Sequence, residues 1–176
     1  MVSNMSNIKL IHASCINQKV DAIVNATNKY LIPGAGVCGE IFRRAGYELE
    51  EACRKIKTPL TTGDAVITYG YNIGNTKYII HAVGPDFNDN NSTTNELYLA
   101  YLNSLNLLKE NNLHTISFPL ISSGIFGGNL DNPVKTSTEE CLKAYNYFIN
   151  NNDYDIDVKL CAYSKDEYIE AQKLFK

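Results

Sequence analysis

The chain has 176 residues, of which 44% are hydrophobic and 20% are charged, as in a single ordinary globular domain. Lys and Arg number 16 and Asp and Glu 19, which gives a net charge of −3, so binding to nucleic acid by charge neutralisation is not expected. No apolar run approaches the roughly 20 residues that a bilayer requires, and the amino-terminal segment has no signal-peptide core. We therefore expect a cytoplasmic protein that does not bind membranes.

The cysteines and histidines favour neither a metal site nor a disulfide framework. The five cysteines contain no CxxC pair, and the three histidines lie far apart in the sequence. Zinc sites and secreted disulfide domains use closely spaced or paired ligands, so no metal and no cofactor is predicted. The cysteines are expected to be free thiols in a reducing compartment: Cys15, Cys38, Cys53, Cys141 and Cys161.

The first half of the chain alternates short apolar runs with one long helical pattern. Four runs rich in β-forming residues predict strands, at residues 8–12, 22–25, 65–69 and 78–82. The helical pattern covers about residues 37–56 and is interrupted near Gly46. It ends before Thr58-Pro59, because the residue that precedes a proline disfavours the helical conformation.

The second half contains three helices, each opened by a capping side chain: Thr93 with Glu96, Asn132 before Pro133, and Ser164 with Glu167. Strands at residues 115–120 and 156–162 separate these helices. The alternation predicts one domain over residues 1–176, a three-layer α/β/α sandwich with a largely parallel sheet. Ligands of such sheets bind at the carboxyl ends of the strands, so the loops that lead into helices are the expected site.

The loop after the second strand, residues 25–39, contains three glycines within six residues: Gly34, Gly36 and Gly39. Glycines let the backbone approach a ligand and aim N–H groups at it, and the following helix adds its positive N-terminal end. The spacing matches neither G-x-G-x-x-G nor a Walker A loop. Taken alone, this loop fits a simple turn as well as a ligand site.

The loop after the fifth strand, residues 121–128, is again rich in glycine and hydroxyl groups and precedes a capped helix. The apolar pair Ile125-Phe126 either is buried beneath this loop or forms the wall of a sugar-binding cleft. Two such loops after two different strands indicate a diphosphate held by backbone amides, without arginine clamps or a metal.

Five ordered motifs, spread over nearly the whole chain, resemble the macrodomain family: VDAIVNATN at 20–28, GAGVCG at 34–39, TGDAVIT at 62–68, HAVGP at 81–85 and FPLISSGIFG at 118–127. The resemblance is closest to the branch with the MacroD-type and coronaviral macrodomains. It implies a three-layer sandwich around a mixed, mostly parallel six-stranded sheet, with a cleft for ADP-ribose. Many members of that branch hydrolyse the ester between ADP-ribose and Asp or Glu side chains, or deacetylate O-acetyl-ADP-ribose.

The resemblance implies that Asn28 hydrogen-bonds the hydroxyls of the distal ribose, which is the sugar whose anomeric carbon carries the modification. An amide side chain both donates and accepts, which suits a vicinal diol. The reacting water is expected near Gly36 and Phe126, so these two residues and Asn28 form the predicted catalytic group. Asn25 belongs to the predicted ligand-binding set, although shaping the loop is the role that its position favours.

The rest of the predicted ligand-binding set presents mainly backbone: Gly34, Gly36, Val37 and Cys38 in the first loop, and Ser123, Gly124, Ile125 and Phe126 in the second. Tyr163 is predicted to stack on adenine, with a packed strand-end tyrosine as the alternative. The expected partner is ADP-ribose or a mono-ADP-ribosylated protein, and the chain itself is expected to be a monomer.

Two positions depart from the family pattern. Ser14 stands where many members have an aspartate that accepts from the adenine amino group, so adenine selectivity is expected to be weakened or relocated. Cys38 stands where MacroD-type enzymes have the aspartate proposed to activate water. A thiol is a poor substitute for a carboxylate base, although a helix N-terminus favours the thiolate and makes a nucleophilic Cys38 the alternative. The coronaviral branch also lacks an acid there and includes hydrolases.

Two functions therefore stay open, a hydrolase that removes ADP-ribose from acidic side chains and a non-catalytic ADP-ribose reader. The presence of Asn28 and both glycine loops favours the hydrolase, whereas Cys38 favours the reader. A single-stranded nucleic-acid module would use the twelve tyrosines for base stacking, but most of them occupy core-like positions.

Overall fold

Six strands form one mixed sheet in this computed structural model, which describes residues 5–34 and 36–175. The strands are β1 (Asn7–His12), β2 (Ala22–Thr27), β3 (Ala65–Tyr69), β4 (Tyr78–Val83), β5 (Thr115–Pro119) and β6 (Asp157–Ala162). Their order across the sheet is β1-β6-β5-β2-β4-β3, and only the β3–β4 pair is antiparallel. The predicted mixed, mostly parallel six-stranded sheet is confirmed.

The described residues form five α-helices, four between strands and α5 after the last strand: α1 (Gly36–Ala45), α2 (Tyr47–Arg54), α3 (Thr94–Glu110), α4 (Pro133–Asn151) and α5 (Lys165–Gln172). The helical pattern predicted over residues 37–56 is divided into α1 and α2 by Gly46, whose φ of +88° lies in the left-handed region that favours glycine. Short 3₁₀ turns cover Cys15–Asn17 and Ile125–Gly127.

Capping side chains begin α3, α4 and α5 as predicted. At α5, the Ser164 hydroxyl accepts from the Glu167 N–H at 3.2 Å, and the Glu167 carboxylate accepts from the Ser164 N–H at 2.9 Å. The same reciprocal pair joins Thr93 and Glu96 at α3. At α4, the Asn132 side chain accepts from the N–H of Lys135. These caps satisfy N–H groups that have no acceptor within the helix.

Helices cover both faces of the sheet, each over its own apolar cluster. On one face, Leu97 and Tyr101 of α3 and Phe148 of α4 pack with strand residues such as Phe118 of β5. On the other face, Ile41 of α1 and Leu49 of α2 pack with strand residues such as Ile23 and Ile79. The three-layer arrangement is therefore confirmed. Among the described residues, no helix is both long and apolar enough to cross a membrane.

The parallel strands β1, β6, β5 and β2 are neighbours, so their carboxyl ends lie along the same edge of the sheet. Segments far apart in the sequence meet there. The N–H of Ala13, after β1, donates to the carbonyl of Ala162 at the end of β6, at 3.0 Å. This edge is where the expected ligand loops come together.

Candidate functional site

A cleft of about 850 Å³ lies along the edge formed by the carboxyl ends of the parallel strands. This volume is within the range of sites for nucleotide-sized ligands. Its walls come from the segments that follow β1, β2, β5 and β6 and from the first turns of α1. Every residue of the predicted ligand-binding set lines this cleft except Asn25.

In the first loop, Asn28 uses its side chain to fold its own segment. Its Oδ1 accepts from the N–H of Tyr30 at 2.9 Å and of Ile32 at 3.4 Å, and its Nδ2 donates to the Ile32 carbonyl at 3.1 Å. The side chain is half-buried and lines the cleft. One Nδ2 hydrogen stays available for a ligand, whereas the acceptor oxygen is already engaged by the loop.

Two glycines give the first loop a course that larger residues would not allow. Gly36, the first residue of α1, adopts φ +64°, in the left-handed region. A Cβ at Gly39 would overlap the carbonyl oxygen of Gly34, so the loop packs directly on the helix backbone. The first N–H groups of α1 have no acceptor within the helix, and they begin at this cleft.

Cys38 is buried, with 8% of its surface exposed, in the first turn of α1. Its Sγ lies 3.9 Å from the carbonyl oxygen of Ile32 and donates a weak hydrogen bond to it. It also lines the cleft. The thiol thus acts as a hydrogen-bond donor to the loop, a role that an ionised carboxylate cannot take.

The second loop is fixed through its hydroxyl and carbonyl groups. The Ser122 hydroxyl donates to the Pro85 carbonyl at 2.7 Å, and the Phe87 N–H donates to the Phe126 carbonyl at 2.8 Å. The Asn88 side chain donates to the Ile125 carbonyl at 2.8 Å. The bonds that hold this segment therefore use its oxygen atoms and not the N–H groups of residues 124–126.

Three N–H groups of this loop are free to donate to a ligand. Those of Gly124, Ile125 and Phe126 have no acceptor among the described residues. Ile125 is 82% exposed and Phe126 is half-buried, and both line the cleft. This placement favours the interpretation of Ile125-Phe126 as a wall over the one in which the pair is buried beneath the loop.

At the β1–β6 corner, Tyr163 follows β6 and is 71% exposed while lining the cleft. A packed strand-end tyrosine would be buried, so this alternative does not fit. Ser14 lines the same corner, and its carbonyl accepts from the Asn17 N–H at 3.2 Å. The Ser14 hydroxyl makes no capping bond to the 3₁₀ turn that follows.

Asn25 requires a correction, because it lies beneath the cleft and not in its lining. It is fully buried in β2, and its Nδ2 donates to Nδ1 of His81 at 3.0 Å. Nε2 of His81 lies 2.9 Å from Oγ1 of Thr68. Because the Thr68 hydroxyl donates its hydrogen to the Tyr69 carbonyl, its oxygen accepts from His81, and Nε2 therefore carries the proton. Burial lowers the pKa of His81 to about 3, so the ring is neutral. Asn25 therefore lies outside the lining of the cleft and supports the strand end from below, which fits the loop-shaping role.

Several cleft residues were not predicted from the sequence: Thr27, Glu40, Arg44 and Glu167. Arg44 donates to Glu40 at 2.9 Å and to Oδ1 of Asn17 at 2.6 Å, so its guanidinium is engaged by protein groups. The Thr27 hydroxyl is buried and has no partner among the described residues. Glu40 and Arg44 have the i,i+4 spacing of an ordinary surface ion pair, which gives no signal of a cleft.

The thiols are buried and are not paired in disulfides. Burial raises the pKa of Cys53 to about 11 and that of Cys161 to about 12, and it also raises the pKa of Cys15 and Cys141. These four thiols therefore stay protonated at neutral pH. In the described part of the chain, no group of three or more His, Cys, Asp and Glu side chains is placed to hold a metal ion.

Comparison with known proteins gives consistent matches. The Macro domain family profile matches residues 24–136. The chain is 38% identical to the ADP-ribose glycohydrolase MACROD1 of Bos taurus, over 95% of this chain and 51% of that protein. It is 36% identical to the O-acetyl-ADP-ribose deacetylase of Escherichia fergusonii, over 92% of this chain and 90% of that protein. The solved Oceanobacillus iheyensis macrodomain with ADP superposes with a TM-score of 0.89 at 31% identity, over 98% of this chain and 91% of that one.

Proposed function

The chain belongs to the macrodomain family, and we propose that it binds ADP-ribose and hydrolyses mono-ADP-ribose esters of Asp and Glu side chains, or O-acetyl-ADP-ribose. The observation that carries this proposal is the second loop. Its carbonyls are engaged by the segment at residues 85–88, whereas the N–H groups of Gly124, Ile125 and Phe126, beside a cleft of about 850 Å³, have no acceptor in the part of the chain that the structure describes. Amides arranged in this way favour an anion such as a diphosphate.

The proposed ligand spans the cleft from the β1–β6 corner to Asn28. The diphosphate lies between the two glycine loops, where backbone dipoles hold it without a lysine or arginine. The adenine base lies at the exposed ring of Tyr163, and the distal ribose lies between Asn28 and Phe126. Relatives named as an ADP-ribose glycohydrolase and an O-acetyl-ADP-ribose deacetylase support this ligand class.

In the proposed reaction, water attacks the anomeric carbon or the ester carbonyl carbon of the bound substrate. The bond from the carboxyl group to the ribose oxygen or carbon breaks, and ADP-ribose and the free acid are released. Asn28 orients the distal ribose, and Gly36 and Phe126 flank the position of the water. Because the Cys38 thiol donates to the Ile32 carbonyl, the substrate's own phosphate is the group proposed to position or deprotonate the water.

The second candidate function is an ADP-ribose reader without turnover. The Cys38 thiol at the position of the MacroD-type acid is the observation that favours it. A reader and a hydrolase would share the same cleft and the same affinity for free ADP-ribose. Only turnover separates them.

Calorimetry with ADP-ribose, ADP, AMP and ribose 5-phosphate tests the ligand. We expect a micromolar Kd for ADP-ribose, about −8 kcal/mol, with only modest weakening at high salt, because dipoles and not charged side chains hold the phosphates. The absence of binding at millimolar ADP-ribose would overturn the proposal. A single-turnover assay on a protein mono-ADP-ribosylated at acidic residues then tests the reaction, and binding without release over hours would leave only the reader.

Asn28→Ala tests the assigned role of the distal-ribose residue. Turnover is expected to fall by about 10²-fold or more, because a displaced reacting centre is costly. Affinity is expected to change less, since the contacts to base and diphosphate stay in place. Asn146→Ala, at an exposed position of α4 away from the cleft, is the matched control. Equal turnover in the Asn28 and Asn146 variants would remove Asn28 from the mechanism.

A further inference from the structure

Three cleft residues meet at the corner where β1 and β6 end side by side: Ser14, Tyr163 and Glu167. Ser14 follows β1, Tyr163 follows β6, and Glu167 lies in the first turn of α5. The pairing of β1 with β6 therefore brings together residues about 150 positions apart in the chain. Their chemistry differs from that of the two glycine loops, which present N–H donors.

The electrostatics of the cleft place phosphate and base at different ends. A carboxylate at the corner repels phosphate, and the unpaired N–H groups of residues 124–126 attract it. The 71% exposed ring of Tyr163 offers a flat apolar surface of the kind on which nucleobases stack. The corner is therefore suited to a base and not to a phosphate group.

Of the two carboxylates in the described lining of the cleft, only Glu167 has no ion-pair partner. Glu40 is paired with Arg43 and Arg44. Glu167 accepts the Ser164 N–H through Oε1 at 2.9 Å, and its Oε2 has no hydrogen-bond or ion-pair partner among the described residues. An ionised carboxylate only accepts hydrogen bonds, whereas the Ser14 hydroxyl can donate or accept. Ser14 therefore cannot by itself distinguish an amino group from a carbonyl group.

We propose that Glu167 determines base specificity by accepting a hydrogen bond from the exocyclic amino group of a 6-aminopurine. A 6-oxopurine, which presents a carbonyl oxygen at the same position, is disfavoured. This inference rests on the proposed function, since it assumes that an ADP-ribose-type ligand occupies the cleft. It also assigns the base selectivity that the neutral Ser14 does not supply.

Glu167→Gln is a sharp test because the capping box restricts how the new side chain is oriented. Gln also serves at this position of a capping box, and its oxygen must stay on the Ser164 N–H. The amide nitrogen then replaces Oε2, so an acceptor becomes a donor at the same place. Glu96→Gln makes the same change in the equivalent capping box of α3, which does not line the cleft, and is the matched control.

The experiment compares the Kd of ADP-ribose with that of its hypoxanthine analogue, inosine diphosphate ribose, by calorimetry. Wild type and Glu96→Gln are expected to prefer ADP-ribose by roughly tenfold, the effect of one hydrogen bond to a charged group. Glu167→Gln is expected to lose this preference or to invert it, with unchanged thermal stability. Ser14→Ala is expected to keep the preference.

An unchanged ratio in Glu167→Gln, or a ratio lost in Ser14→Ala alone, would overturn the assignment of base specificity while leaving ADP-ribose binding established. A wild type that binds neither ligand would overturn the proposed function itself. The two failures are therefore distinguishable.

Discussion

Mild acid is expected to destabilise this fold through His81, which lies in β4 directly beneath the cleft. The ring is fully buried, and Nδ1 accepts a hydrogen bond from Asn25. Burial lowers the pKa of His81 from 6.5 to about 3, because the imidazolium would lose its hydration and gain no carboxylate partner. The native protein therefore keeps the ring neutral at pH values where the unfolded chain binds a proton.

The sign and size of the effect follow from this difference in proton uptake. Above pH 6.5 the ring is neutral in both states, and the full stability is present. As the pH falls from 6.5 towards 3, the unfolded state gains protons that the native state does not, and the free energy of unfolding decreases by about 1.4 kcal/mol per pH unit. At pH 5 the loss is about 2 kcal/mol, a large fraction of a typical stability of about 5–15 kcal/mol.

Urea denaturation at pH 7.5 and pH 5.0 measures this loss in the wild type, in His81→Gln and in His12→Gln. His81→Gln is expected to be less stable at pH 7.5, because it loses the packing of the ring, yet to lose about 2 kcal/mol less than the wild type between the two pH values. His12, which is exposed, is the control for the replacement of a surface histidine by glutamine. Other titrating groups are common to all three proteins and cancel in the difference. Equal losses in the wild type and in His81→Gln would refute the reasoning.

Three further predictions concern the loops. Gly124→Val is expected to abolish ADP-ribose binding with little change in melting temperature, because a Cβ at this cleft residue meets no atom of the described residues within 4 Å. Normal binding by this variant, measured by calorimetry, would mean that the phosphate lies elsewhere. Gly39→Ala is expected to lower the free energy of unfolding by about 1–3 kcal/mol, since the new methyl group overlaps the Gly34 carbonyl, and an unchanged urea midpoint would contradict this. Cys38→Ala is expected to keep affinity and single-turnover rate within a few-fold, whereas Cys38→Asp is expected to raise the rate. Loss of activity in Cys38→Ala with intact binding, together with inactivation by alkylation that ADP-ribose prevents, would instead make Cys38 the nucleophile or base.

The features predicted best from the sequence are those whose signal is local. The capping boxes at Thr93 and Ser164 depend on residues three positions apart, and each begins a helix as predicted. The break at Gly46 likewise follows from a single residue. The order of the strands in the sheet could not be predicted in this way. β1 and β6 pair although they come from opposite ends of the chain, and neither strand carries a sequence signal of that pairing. The resemblance to the family, and not periodicity, predicted that the sheet is mixed, and only the structure shows that the antiparallel strand is β3, at the edge of the sheet.

The same distinction explains what was missed in the cleft. Glu167 was predicted from the sequence as a capping residue, and it is one, but its place in the cleft depends on where β6 lies relative to β1. Asn25 was misassigned for a related reason. A polar residue at the end of a strand beside a ligand loop resembles a ligand contact, and only the register with His81 on β4 shows that its side chain points into the structure below.

The absence of an acid at residue 38 bears on how fast the proposed hydrolase works more than on whether it works. A general base contributes about 10²–10⁴-fold to a rate, whereas orientation of the reactants alone can supply about 10⁵-fold or more. This chain keeps the groups proposed to orient and polarise the substrate, namely Asn28 and the amides of residues 124–126 that have no acceptor among the described residues. It lacks only the base, since the Cys38 thiol donates its hydrogen bond to Ile32. A slow but measurable turnover is therefore expected, and the gain from Cys38→Asp should not exceed the contribution of a general base. A gain well beyond about 10⁴-fold would mean that orientation, too, is incomplete in the wild type.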